Sequence, residues 1–216
     1  MTYLEIVNKV LRLMREPEVA TVLNSNDPVV ELVVEFVNDA KRLVEDAHRW
    51  NALRYEWDIN TSADTALYPL TGAGKYATIE YILADTGNLL KQTNLMAIRK
   101  RSATSPAYRS RPTDWAINGV DASGDTQLNV YPTPDAAYSI TVYGWRNQAD
   151  LALDDDVLLV PFQPVVYQAL SFALRERGEV GGQTAAETMA MSAQYLRDAI
   201  ALDSAMNEPD NVWYQV

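Results

Sequence analysis

Apolar positions along this chain change their period twice, and the changes divide it. Leu4, Val7, Val10, Leu11 and Met14 recur three and four residues apart, predicting a helix that stops near Arg15, because Pro17 disfavours helical geometry at Glu16. Asp27 followed by Pro28 reads as a helix start, and Val30, Val33, Val37, Ala40, Val44 and Ala47 carry a second helical stripe. From about Asn51 the period shortens to two. Tyr55, Trp57 and Ile59 alternate with polar neighbours, as do Ala77, Ile79, Tyr81 and Leu83, and then Ile140 and Val142. Turn clusters at 71–74, 85–88, 118–119 and 122–125 separate these runs, and Leu89–Arg99 and Gln127–Tyr131 are further strand candidates. A small antiparallel β-domain of five to seven strands is expected.

Helical spacing returns after Asp156. Pro161 and Pro164 suit a first turn, Val166, Ala169, Leu170, Ala173 and Leu174 form the apolar stripe, and Gly178 suits a left-handed stop. Thr184 and Glu187 have capping-box spacing, and Met189, Ala193, Leu196 and Ile200 extend a last helix to about Met206. Pro209 then releases an extended tail. The expected fold is α+β: a four-helix bundle made from an N-terminal pair (1–50) and a C-terminal pair (148–206), with a β-domain (51–147) inserted between them and a C-terminal tail (207–216).

Composition removes most chemistry. Among 216 residues there is one histidine and no cysteine, so there is no disulfide framework, no thiolate nucleophile, no Ser-His-Asp triad beyond what His48 alone could serve, and no multi-histidine metal site. His48, beside Arg49 and Trp50, reads as a packing histidine. No secretory leader and no run of eighteen apolar residues is present, so a soluble chain folded in a reducing compartment is expected, with no membrane partner and no cofactor. Paired carboxylates are the one catalytic scheme left open, and nothing singles out a pair. Trp50, Tyr55 and Trp57 fall where the period changes and are expected to fasten the two parts together.

Charge is distributed unevenly. The net charge is −11, yet residues 99–111 carry +5 and 148–216 carry −8. Arg99, Lys100, Arg101, Arg109 and Arg111 are expected in one loop with no acid, able to neutralise phosphates or dock on an acidic neighbour, or simply to be solvated. The acidic run Asp150, Asp154, Asp155 and Asp156 lacks the spacing and turn glycine of a calcium loop and fits the positive end of the following helix. Gly72-Ala73-Gly74-Lys75 is not a phosphate loop, having the wrong spacer and no Ser or Thr after the lysine. In the tail, Trp213 and Tyr214 form an aromatic hook suited either to a neighbouring subunit or partner, or to the chain's own helices.

Several stretches together carry a resemblance: Ile6–Pro17, the aromatic end of the second helix at Ala47-His48-Arg49-Trp50-Asn51, the return strand Tyr138–Arg146, and Asp154-Asp155-Asp156-Val157-Leu158-Leu159-Val160-Pro161. In element order and these local patterns the chain resembles phage head-to-tail adaptors of the tail tubular protein A type, and more loosely the head-completion connectors. The resemblance implies a structural, non-enzymatic virion subunit that assembles in the host cytoplasm into a ring, in that family usually of twelve copies. The ring would join the portal protein to the tail nozzle or tube and line the DNA conduit, with transient, non-specific contact to the genome. It implies that Val212, Trp213, Tyr214 and Val216 dock on the portal and that the basic loop faces either the DNA channel or the next ring. Outside that loop the chain carries −16, which would keep a passing genome from sticking. The alternatives are a nucleic-acid-binding accessory module and a carboxylate-based cell-wall hydrolase.

Overall fold

The computed structural model describes residues 1–23, 27–178 and 183–206, which form two compact units. One comprises Met1–Ala52 and Gln148–Val216, the other Leu53–Asn147.

The first unit is helical. Helix α1 (Tyr3–Leu13) opens with a capping box in which the Thr2 hydroxyl accepts from Glu5 N–H and Glu5 reaches back to Thr2 N–H. It ends at Leu13 with Met14 as its C-cap, near the expected stop, and Arg15 follows in the left-handed region at φ 62°. Helix α2 (Pro28–Ala47) starts as expected, the Asp27 carboxylate accepting from Val29 N–H at 2.9 Å. Its buried Val30, Val33, Val37, Ala40 and Val44 lie on the face that packs on α4 (Phe162–Glu176), whose Val165, Val166, Ala169 and Ala173 are likewise buried. Helix α1 packs on both. Gly178 follows α4 at φ 63°, the expected left-handed stop.

The expected four-helix bundle does not form. Helix α5 (Gln183–Ala205) packs along α4 through the small buried residues Ala185, Thr188 and Ser192, whose hydroxyl donates to Pro164 O at 2.8 Å. The face it turns to α4 is made of small residues while larger apolar ones such as Met189 and Leu202 stay exposed, so it flanks a three-helix core instead of completing a fourth wall. A further helix, α3 (Leu95–Thr104), lies among the strands, so helices and strands are interspersed along the chain. The architecture is α+β. Helix α5 runs from Gln183, one residue before the Thr184 expected to cap it.

The second unit holds seven strands in two sheets. The order is β1-β7-β3 in one, from β1 (Arg54–Asn60), β7 (Ser139–Trp145) and β3 (Thr78–Ala84), and β2-β6-β5-β4 in the other, from β2 (Leu67–Pro69), β6 (Thr126–Tyr131), β5 (Asp114–Val120) and β4 (Lys91–Gln92). All pairs are antiparallel except β4 with β5, which is parallel. Trp57, Ile59, Ile82, Ile140 and Val142 of the first sheet share one apolar cluster with Tyr68, Trp115, Leu128 and Val130 of the second.

Two readings of this unit are corrected. In β3 the register shifts between Ile79 and Tyr81, and the extra residue inverts the faces: Ile82 and Ala84 are buried while Tyr81 is exposed, opposite to plain alternation from Ala77. Leu89–Arg99 is not one strand. After the two-residue β4, Asn94 accepts from Met96 N–H at 2.8 Å and caps α3, where Leu, Met, Ala and Arg favour helix.

Candidate functional site

The basic segment is therefore half helix and half loop. Ile98, fully buried, pins α3 to its unit, and Arg99, Lys100 and Arg101 occupy the rest of that helix. Arg109 and Arg111 follow in the connection to β5. Four of the five side chains are engaged locally. Arg99 donates to Asn118 Oδ1 at 3.0 Å, Arg101 lies 3.6 Å from the Asp114 carboxylate, Arg109 Nε donates to Asp64 Oδ1 at 2.6 Å, and Arg111 donates to Asp85 Oδ1 at 3.0 Å. Arg109 also donates to Pro106 O at 2.7 Å, while Arg111 lies over the Tyr138 ring and Arg101 near that of Tyr131. Lys100 has no acidic partner among the described residues. Sequence reading found the run of cations but not their partners, because Asp64 and Asp85 come from two separate connections and Asp114 from the start of β5. Across Leu53–Asn147 nine basic residues balance nine acidic ones, so the whole −11 belongs to the other unit.

Three of the four carboxylates in the acidic run are likewise committed to backbone or side-chain partners. Asp150 pairs with Arg42, whose Nε donates to it at 3.1 Å, and Asp154 accepts from Val22 N–H at 2.7 Å. Asp156 accepts from Ala152 and Leu153 N–H, both at 2.7 Å, and these amides hold its carboxyl below the usual range. The run does not cap α4, which starts six residues later behind Pro161. It instead shapes the segment that clasps the start of α1, where Tyr3 N–H donates to Asp156 O and Leu4 N–H to Asp154 O. Among the described residues no three His, Asp or Glu gather as metal ligands, and no helix is long and apolar enough to cross a membrane.

The glycine turn at 72–74 does bind an anion, but one from its own chain. Gly72 and Gly74 N–H donate to the Asp125 carboxylate at 3.0 and 2.9 Å and lower its pKa. Amides that would be needed for a phosphate are thus occupied.

His48 stands at the end of α2 with its ring edge on Trp50 and Nε2 3.2 Å from the Asp203 carboxylate. Asp203 also accepts from Asn51 N–H at 3.2 Å, so one acid near the end of α5 gathers the residues after α2. Trp50 is buried in the helical unit, its indole donating to Val44 O, whereas Tyr55 and Trp57 stack edge to face in the other unit. Beside Asp203 a groove of about 580 Å³ opens between the 158–163 segment and one stripe of α5. The proposed docking residues Val212, Trp213, Tyr214 and Val216 lie outside the described residues.

Residues 1–213 match the family described as SU10 adaptor protein. No curated protein matches the chain.

Proposed function

This chain belongs to the SU10 adaptor protein family, and from that premise we propose that it works as one subunit of a ring at the head-to-tail junction of a tailed-phage particle. The family is one of phage adaptors, structural parts of the virion that associate with portal and tail components. In the proposed arrangement about twelve copies, as the tail tubular protein A resemblance implies, sit between the portal and the tail nozzle or tube and surround the path of the DNA, after assembling in the host cytoplasm. Val212, Trp213, Tyr214 and Val216 dock on the portal. Arg99, Lys100, Arg101, Arg109 and Arg111 face either the DNA channel or the next ring.

The observation that carries this reading is the family match across nearly the whole chain. Charge supports it. A conduit subunit must let phosphates slide, and pairing three of its clustered arginines with Asp64, Asp85 and Asp114 leaves little free cation to hold them. That pairing also weighs against a dedicated nucleic-acid-binding module.

Electron microscopy of the purified protein mixed with its portal is the direct test. A ring capping the portal is expected, and a chain that stays monomeric and leaves the portal bare would overturn the proposal. Removal of residues 210–216 is expected to abolish docking while leaving the far-UV circular dichroism unchanged.

A further inference from the structure

The last two turns of α5 carry apolar side chains that the helical core leaves exposed, in line with Tyr195, whose ring stacks on Tyr167 of α4 at 5.1 Å between centroids. Tyr195, Ala199, Leu202 and Met206 recur at intervals of three and four and, with Leu158 and Pro161, line the groove of about 580 Å³. Leu202 is 69% exposed and Met206 75%, far more than residues of an apolar stripe usually are when a partner covers them. On the rim, Asp198 offers a carboxylate that has no hydrogen-bond partner among the described residues.

Met206 is both the last described residue and part of the groove wall. The ten residues beyond it include an uncharged, apolar and aromatic triplet, Val212-Trp213-Tyr214. We infer that this triplet seats in the groove of its own chain. The reach suffices: Tyr195 to Met206 spans about 16 Å of helix, whereas seven extended residues from Met206 to Trp213 cover up to about 23 Å. The length of chain beyond Met206 is therefore enough to bring the aromatic pair to any point of the stripe. The volume accepts an indole and a second large side chain, and Asp198 is the acceptor for the indole N–H or the tyrosine hydroxyl. Asp203 is not available for this role, being held by His48 and Asn51. On the reading that the tail docks the portal, docking then begins with withdrawal of the triplet from this groove.

Methionine oxidation tests the seat in the full chain without any portal, so the result is independent of ring formation and docking. Dilute peroxide converts accessible thioethers to sulfoxides, and peptide mass spectrometry reads each site separately. Met206 lines the groove, whereas Met189, 51% exposed on the same helix, lies outside its lining and serves as the internal standard. The combined variant Trp213→Ala, Tyr214→Ala is expected to oxidise severalfold faster at Met206 with an unchanged rate at Met189, and the wild-type protection should not vary with protein concentration. An unchanged Met206 rate in the variant overturns the inference. Protection that appears only as concentration rises overturns it too, since the occupant is then a second copy.

Discussion

Lys41 and Glu45 face each other across one turn of α2 with both side chains wholly out of solvent, Nζ to Oε1 3.1 Å. Lys41 Nζ also donates to Gln148 O at 2.6 Å, while Glu45 Oε2 has no hydrogen-bond partner. Burial raises the Glu45 pKa even though the lysine opposes it, so desolvation dominates at this carboxyl. The pair ties Gln148, where the chain re-enters the helical unit, to the middle of α2.

Breaking that pair from one side should be more harmful than removing it. Lys41→Met or Glu45→Leu alone leaves a buried charge uncompensated and is expected to cost about 3–5 kcal/mol. The double variant should recover most of that loss, short of full recovery because Gln148 O loses its donor. Urea denaturation of the three variants checks the order, and a double variant weaker than both singles would contradict it.

Asp125 and Asp156 predict an acid-sensitive fold. Backbone amides hold both carboxyls below their ordinary range, so the folded pKa lies under the unfolded one. Their contribution is then complete above the unfolded value of about 4 and is lost as pH falls through the folded value. Stability should drop on acidification below about pH 4, and Asp125→Asn should lower it at pH 7 while flattening the acid limb. Denaturation midpoints at pH 7 and pH 3 give both readings.

Gly144 has no room for a side chain. A Cβ there would stand 2.2 Å from the backbone oxygen of Thr78, in the β7 to β3 pairing beside the shifted register. Because the neighbour is backbone, it cannot rotate away, and Gly144→Ala is expected to cost about 1–3 kcal/mol. Thermal melts should show the loss, and an unchanged melting temperature would mean that the two strands can separate at no cost.

Freeing the paired arginines should strengthen contact with phosphates. Asp64→Asn with Asp85→Asn leaves Arg109 and Arg111 without their carboxylates. Fluorescence anisotropy with labelled duplex DNA at low salt should show stronger binding by this variant, with the added affinity falling steeply as salt rises. Equal binding by both proteins would show that the pairing does not control phosphate contact.

Much of this fold is local, and local features could be read directly. Asp27 and Pro28 open α2, Gly178 closes α4, and the alternation around Trp57 and Val142 marks β1 and β7, because caps, left-handed stops and strand faces depend on residues a few positions apart. Asn94 signalled a helix cap as well, though strand alternation around Leu89 obscured it. The candidate site was legible only as a list of cations between residues 99 and 111.

Long-range relationships were decided by tertiary structure. Which carboxylates meet Arg101, Arg109 and Arg111 depends on connections 45 residues apart in the case of Asp64, and no periodicity encodes that. The inverted face of β3 follows from one extra residue in a register set by β7. Helix α5 has the length of a bundle member, yet a bundle needs an apolar stripe continuous enough to meet two neighbours, and its small buried residues pack along α4 while Leu202 and Met206 line a groove. Residue order specifies which helices can form. Where their apolar surfaces find cover is settled by the whole chain at once, because burial is a property of neighbours rather than of sequence position.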